Sequence, residues 1–578
     1  MTQGHFAFVL HGHLPYVLAH GRWPHGMDWL SEAAAETYIP VIRVLSELAE
    51  EGYKPKLTMG LSPVLTEQLA DDSFKEEFVT YLRQKIEAAR KDSEEFYRYG
   101  QESMLANSQY WESFYSDTLD SFENMGQDIV GAFRNLQEGG YLEIITCGAT
   151  HGYYPLLSRD ESLQAQTKAA VKTHTRHFGK APKGIWLPEC AYRPRYEWTP
   201  PVPIDGKQEP YLRKGADEFL SENGLDFFII DSVLLKGGKS VGVYIDRFEA
   251  LRLLWGQFEK QYTQRDEEAD KTPRQVYLVS SASEGKKPTA IFTRDPETGL
   301  LVWSGEHGYP GDGHYLDFHK KRFPGGHRYW AVTSAKADLA DKVEYVRKDA
   351  LDRIEENSEH FAGKIAEILE GYHKEADKPG VLIAPYDAEL FGHWWFEGPQ
   401  FLKAVLKRLC EDEKVELTHL SQHLEETKPT DIVSIPEGSW GQGNHHYIWL
   451  NKHTEWTWKH IYDAEAKMCK MARFWVDNED KRDHELEGLI KQAARELMLM
   501  SASDWQFLIS TFAARDYAEL RLSNHYSDFT RLNKMVDSKI TGQEISAGDW
   551  QFFDDCKKRD KLFQDLEIEW FAQVDYPA

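Results

Sequence analysis

Two carboxylates in apolar company, Glu189 and Asp387, are the residues whose surroundings call for a chemical explanation. Glu189 stands in GIWLPECAY (184–192), where Pro188-Glu189 follows a short apolar run and precedes Cys190. Asp387 stands in APYDAELFGHWWFEGP (384–399), again at the end of an apolar run, beside Glu389, His393, Trp394 and Trp395. A carboxylate among apolar neighbours is costly to ionise, so it is paired, exposed or functional. Two that converge are the minimum machinery for breaking a glycosidic bond: one attacks or stabilises as the anion, the other donates a proton to the leaving oxygen. The structural alternative is that either caps a helix or pairs with an arginine such as Arg193 or Arg195. His11 and His13, in HGHLPYV (11–17), are spaced i, i+2 after an apolar run. Extended backbone turns both to one side, as in metal-binding HxH pairs. No HExxH, no cysteine pair and no second carboxylate–histidine cluster at ligand spacing accompanies them, so neutral histidines donating to hydroxyls fit better. GGKS (237–240) lacks the leading glycine of a phosphate loop, since Val233 stands there, and no Gly-x-Ser-x-Gly elbow occurs.

Short apolar runs bounded by turn residues must position these groups: FAFVL (6–10), PKLTM (55–59), LEIIT (142–146), GIWL (184–187), DFFII (226–230), LLVW (300–303) and VLIAPY (381–386). They suit buried strands, and amphipathic stretches between them point to repeated β-α units and a parallel sheet or barrel of seven or eight strands. The chemistry-bearing residues then fall just past strand C-terminal ends (His11-Gly-His13, His151-Gly-Tyr153, Glu189, Asp231, Asp387), where a (β/α) barrel places its active site. Residues 73–140 interrupt the pattern as a helical insertion, opening with Ser73 and Glu76 as a capping box and carrying Phe78, Leu82, Ile86 and Ala89 on one stripe. From about 431 the strand pattern stops, and Leu486, Leu489, Ile490, Ala493, Ala494 and Leu497 form a helical stripe. The expected organisation is a catalytic barrel over 1–72 and 141–430, the insertion at 73–140, and a helical C-terminal domain over 431–578. The polar stretch 257–288 reads as a loop insertion.

A chain of 578 residues is too long for one ordinary core. Its formal net charge of −26 argues against a nucleic-acid partner. The N-terminus has no basic flank with a long apolar region, and no run is long enough to span a bilayer, so neither a signal peptide nor a membrane anchor is expected. Five scattered cysteines show no disulfide framework and fit a reducing, cytoplasmic setting. Several of the 18 tryptophans lie in polar neighbourhoods, RWPHGMDW, EGSWGQGNHHYIW and GHWWF, where aromatic faces beside carboxylates and imidazoles suit sugar rings.

In order, HGHLPYV (11–17), CGATHGYYPLL (147–157), GIWLPECAY (184–192), YDAELFGHWWFEGP (386–399) and EGSWGQGNHHYIWLN (437–451) resemble the five signature regions of glycoside hydrolase family 57. ASDWQFLIS (502–510) and DWLSEAAAETYIPVI (28–42) are similar to stretches of that family's α-glucan (glycogen) branching enzymes. The resemblance implies a (β/α)7 barrel and a retaining double displacement on α-1,4-glucans, with no metal or organic cofactor. Glu189 would be the nucleophile and Asp387 the general acid/base. His11, His13 and His151 would hold the glucosyl unit, with Arg294 near the site. Trp29, Trp303, Trp440 and Trp449 match aromatic sugar platforms, while Asp504 and Trp505 would close the cleft. In KSVGVYID (239–246) Val241 replaces the first aromatic of a family loop whose tyrosine, here Tyr244, helps exclude water. Transfer to a glucan 6-hydroxyl, making an α-1,6 branch, is the leading expectation. Hydrolysis by an α-amylase-type enzyme and 4-α-glucanotransfer are the rivals within the family. A metal-dependent deacetylase and a non-catalytic glucan-binding protein are the alternatives outside it.

Overall fold

Six of the seven apolar runs are strands in the computed structural model, which describes residues 2–204, 206–237, 271–279, 287–304, 308–334 and 336–574. They fall in β1 (Gly4–Gly12), β2 (Leu57–Leu61), β3 (Leu142–Cys147), β4 (Gly184–Trp186), β5 (Phe227–Ile230) and β7 (Gly380–Asp387), with β6 (Thr289–Thr293) between the last two. LLVW is the exception. It is the last turn of a helix, Pro296–Trp303, opened by Asp295, whose Oδ1 accepts the Thr298 N–H at 2.6 Å. A four-residue apolar run has no readable period, and the Asp-Pro helix start decides its conformation. The strand that the run stood in for is TAIFT, just upstream.

The seven strands are parallel and follow the order β7-β1-β2-β3-β4-β5-β6. The sheet curls until its ends meet: Arg294 bridges Ile383, and the Asp295 N–H donates to the Ile383 carbonyl at 3.1 Å. This is the (β/α)7 arrangement. Alternation along the strands sorts the side chains into two sets. Ala7, Val9, Ile145, Trp186, Phe227, Ile229, Phe292 and Ile383 fill the barrel interior, while Phe6, Phe8 and Leu10 pack outward into the main core beneath the helices. Within the polar stretch 257–288, of which 257–270 and 280–286 lie outside the described residues, Tyr277–Val279 is a strand, antiparallel to β6, so the expected loop is corrected at these three residues. Its register partner on the far side is the short strand Ile432–Val433. Edge pairing, with Tyr277 and Val279 buried, outweighs the polar composition of the segment.

Between β2 and β3, after helix α1 (Pro63–Ala70), helix α2 (Asp72–Arg98) packs on helix α3 (Glu102–Asn124), with Phe78 edge-on to Phe122 at 4.9 Å. Asp71, not Ser73, caps α2: its Oδ1 accepts the Ser73 N–H at 2.8 Å. Asp71 lies in extended backbone after the preceding helix, so the next helix begins two residues earlier than a Ser73 cap allows. Beyond the barrel follow α4 (Glu455–Asp477), α5 (His484–Met500), α6 (Ser503–Thr511) and α7 (Arg515–Thr541). The stripe from Leu486 to Leu497 on α5 is buried. The start of α6 is fastened to the barrel mouth, where Ala502 bridges Gly152 and the Ser503 N–H donates to the His151 carbonyl at 2.9 Å. Among the described residues no helix is long and apolar enough to cross a membrane.

Candidate active site

Strand ends bring the two carboxylates and three histidines to one place. His11 stands one residue before the end of β1, in register with Asp387 on β7. Glu189 follows β4, and His151 lies in the segment after β3. Backbone at two of these positions is strained: His151 and Glu189 both have φ of 60°, and Cys190 has 47°. A non-glycine residue in that region costs on the order of 1–3 kcal/mol, a cost met mainly at functional sites. Around Glu189 the turn is held by Cys190 N–H to Leu187 O at 2.8 Å and Trp440 N–H to Glu189 O at 3.1 Å. The result is a cavity of about 140 Å³ lined by His11, His13, Trp29, His151, Glu189, Asp387, Trp440, Trp449 and Asp504. Its volume is that of about one hexose ring, and four tryptophans, Trp29, Trp394, Trp440 and Trp449, stand in its walls.

Glu189 is largely but not fully buried, its side chain 13% exposed, and is hydrogen-bonded on both oxygens. Trp440 Nε1–H donates to Oε2 at 2.8 Å, and Ser503 Oγ lies 2.9 Å from Oε1. Burial pushes its pKa up to about 7, Asp504 adds to the rise, and the bonds from Trp440 and Ser503 oppose it, as does His13. A hydrogen bond to an ionised group contributes about 1.5–3 kcal/mol, and one pKa unit corresponds to 1.36 kcal/mol. Trp440→Phe keeps the aromatic wall and removes the donor. The acidic limb of its kcat/KM profile is expected about one pH unit above that of the wild type; an unmoved limb would show that Glu189 does not govern it.

The histidines form a parallel stack. Rings of His13 and His151 lie 3.9 Å apart at 9°, and His11 lies on Trp186 at 4.7 Å and 4°. His11 Nε2 meets His151 Nε2 at 3.0 Å, and His13 bridges Ser62 Oγ at 2.8 Å and Asp504 Oδ2 at 3.0 Å. Burial holds His11 and His151 well below the ordinary imidazole range, with the neighbouring histidines adding to it. Both nitrogens of His13 and of His151 are engaged within the protein, the latter through His11 and Ser503. Glu389 completes this wall: it accepts the Tyr38 hydroxyl at 2.5 Å and the His13 N–H at 3.0 Å, and burial raises its pKa.

Three residues expected at the site do not line the cavity. Arg294 pairs with Asp231 Oδ2 at 2.5 Å. Trp303 sits behind Trp440, ring centroids 6.2 Å apart. Trp505 is buried in the helical region, donating to Leu499 O at 2.8 Å beneath the Arg521 guanidinium, so Asp504 alone of that pair reaches the cavity. A helix turns residues i and i+1 about 100° apart, which sends Asp504 to the cleft and Trp505 to the core. Tyr244 lies outside the described residues. The lining also includes Glu389, Trp394, Phe507 and Leu508, which the sequence did not single out as site residues. The first two stand in the Asp387 motif and were legible as its neighbours; Phe507 and Leu508 look like any apolar helix face.

Residues 7–436 match Glycosyl hydrolase family 57, and residues 460–571 match the family described as 1,4-alpha-glucan branching enzyme, C-terminal. A 1,4-alpha-glucan branching enzyme of Thermococcus kodakarensis is 38% identical over 576 residues, covering 100% of this chain and 79% of the relative. The crystal structure of a branching enzyme from that organism, in complex with glucose, superposes with a TM-score of 0.89 at 37% identity, over 100% of this chain and 98% of the other. The alpha-amylase AmyC of Thermotoga maritima superposes with a TM-score of 0.79 at 26% identity, over 99% and 100%. With the barrel, its strand-end carboxylates and these likenesses in agreement, the chain belongs to glycosyl hydrolase family 57.

Proposed function

We propose that the protein is a retaining 1,4-α-glucan branching enzyme in which Glu189 is the nucleophile and Asp387 the general acid/base. The observation that carries the reading is that both carboxylates face one hexose-sized, aromatic-walled cavity to which the C-terminal helices contribute Asp504. Glu189 attacks the anomeric carbon while Asp387 gives its proton to the departing glucan oxygen, leaving a glycosyl ester on Glu189. Asp387, now ionised, takes the proton of the incoming 6-hydroxyl as that oxygen displaces the ester. His11, His13 and His151 form the wall beside the reacting glucosyl unit, and Trp29, Trp440 and Trp449 pack against its faces. No step calls for a metal or an organic cofactor.

A polymeric acceptor needs a long approach. A second cavity of about 1230 Å³ adjoins the first and shares Trp29, Trp394 and Leu508 with it. Trp23 and Phe323 stand on its walls, 71% and 65% exposed, as aromatic surface for an acceptor chain. The relatives named as branching enzymes support the same assignment. Free cysteines throughout, four of the five buried, support a reducing compartment, the cytoplasm.

The likeness to an alpha-amylase keeps hydrolysis as a second reading, because water that enters the cavity competes with the acceptor for the ester. Incubation with linear amylose separates the two. Branching is expected to give new α-1,6 proton resonances with few new reducing ends. Reducing ends rising without α-1,6 signals would make the enzyme a hydrolase.

A further inference from the structure

The C-terminal helices reach the reacting carboxylate through a residue that sugar chemistry alone does not point to. Ser503 is fully buried at the start of α6. Its Oγ lies 2.9 Å from Glu189 Oε1 and 2.8 Å from His151 Nδ1. His151 Nε2 continues to His11 Nε2 at 3.0 Å, and the line ends at His11 Nδ1, a buried atom with no hydrogen-bond partner. A single file of hydrogen bonds thus runs from the carboxylate to an orphaned nitrogen on the far side of the histidine stack.

Protons fill this file completely in two ways. With Glu189 ionised, Ser503 Oγ–H donates to Oε1, His151 Nδ1–H donates to Oγ, and His11 Nε2–H donates to His151 Nε2. His11 Nδ1 is then a bare lone pair. With the Glu189 proton on Oε1 toward Ser503, every bond reverses, both histidines change tautomer while staying neutral, and His11 Nδ1 carries a hydrogen with nothing to receive it; a proton on Oε2 instead leaves the file in place but removes the charge that Ser503 bonds. A buried N–H without an acceptor is the costlier of the two orphans. The file therefore favours the ionised carboxylate, opposing the burial that favours the neutral acid.

We propose that Ser503 is the positioning residue through which the C-terminal helices hold Glu189 ionised and aimed, with the His11–His151 tautomer pair completing the device. The proposal rests on Glu189 being the nucleophile. Formation of the glycosyl ester removes the charge that Ser503 bonds, and breaking the ester restores it, so the hydroxyl favours departure of Glu189 in the second step. The other groups facing Glu189 are His13 just past β1, Cys147 at the end of β3 with Tyr153 beyond it, Asp387 from β7, Asp504 from α6, and Cys190 with the Arg294–Asp231 pair beneath it. A substitution at Ser503 leaves all of them in place.

The test compares Ser503→Ala and Ser503→Thr in the full-length protein, by kcat and KM against pH and by mass spectrometry after trapping with a slow fluorinated glucosyl fluoride. Ser503→Ala is expected to lower kcat about 10- to 100-fold with KM changed less than about threefold, and to move the acidic limb up by about one pH unit. Ser503→Thr, which keeps the hydroxyl, is expected to restore both. A label on the Glu189 peptide together with a wild-type acidic limb in Ser503→Ala overturns the role of Ser503 and leaves the nucleophile assignment standing. Absence of label from Glu189 in the wild type overturns that assignment itself.

Discussion

Glu189→Gln is expected to lower turnover on amylose by at least about 10⁴-fold while leaving the protein folded, and to stabilise it at alkaline pH. The first effect follows from removing the group that forms the covalent intermediate. The second follows from burial. With a folded pKa of about 7 against 4.5 for the exposed group, the native state holds the Glu189 proton more tightly than the unfolded chain does. That contribution to stability is complete below the unfolded value and is lost as pH rises through about 7. Above it, the buried carboxylate costs roughly 3 kcal/mol, to order of magnitude. Glutamine carries no such pH-dependent cost. Unfolding midpoints of the two proteins at pH 5 and pH 8 are therefore expected to diverge, the variant gaining on the wild type at pH 8. Turnover surviving the substitution would remove Glu189 from the chemistry; a midpoint difference independent of pH would mean that Glu189 titrates near its exposed value.

Asp387→Asn carries the other large effect. Loss of general acid/base assistance is expected to cost about 10²- to 10⁴-fold on glucan, whose leaving oxygen needs a proton. A glucosyl fluoride, whose leaving group needs none, is expected to load Glu189 at close to the wild-type rate. With no base to activate the acceptor, the glycosyl-enzyme then accumulates, visible as a mass increment on the Glu189 peptide. Azide, which arrives already ionised, is expected to release it. Equal losses on both donors without accumulation would assign Asp387 a structural role only. The pair of variants thus separates nucleophile from acid/base by the step each one stops.

Several features of this site were readable residue by residue because they are local. Pro188-Glu189 after an apolar run, His11-x-His13 after another, and Asp387 after a third each combine a buried strand with a polar residue at its end. A parallel barrel gathers such ends on one face whatever the connecting helices are. Helical periodicity likewise marked the Leu486–Leu497 stripe. Local signals failed where two local rules competed. LLVW satisfied the strand pattern, but the Asp295 cap and Pro296 made it helix. Tyr277–Val279 looked polar by its neighbours, yet it found an edge partner in β6.

What the sequence by itself determined is the set of strand ends and the chemistry they carry, since alternation and burial act within a few residues. Only the tertiary structure decided which side chains complete that chemistry. Glu189 takes its two hydrogen bonds from Trp440 and Ser503, 251 and 314 positions away along the chain. Trp505, the more conspicuous residue beside Ser503, turns into the helical core instead. No spacing encodes these choices, because they depend on how α6 docks against the barrel mouth. That docking is set by packing over the whole interface rather than by any motif. The electrostatics follow the same division: a carboxylate's presence is local, but its pKa is set by burial and donors that only the folded chain assembles.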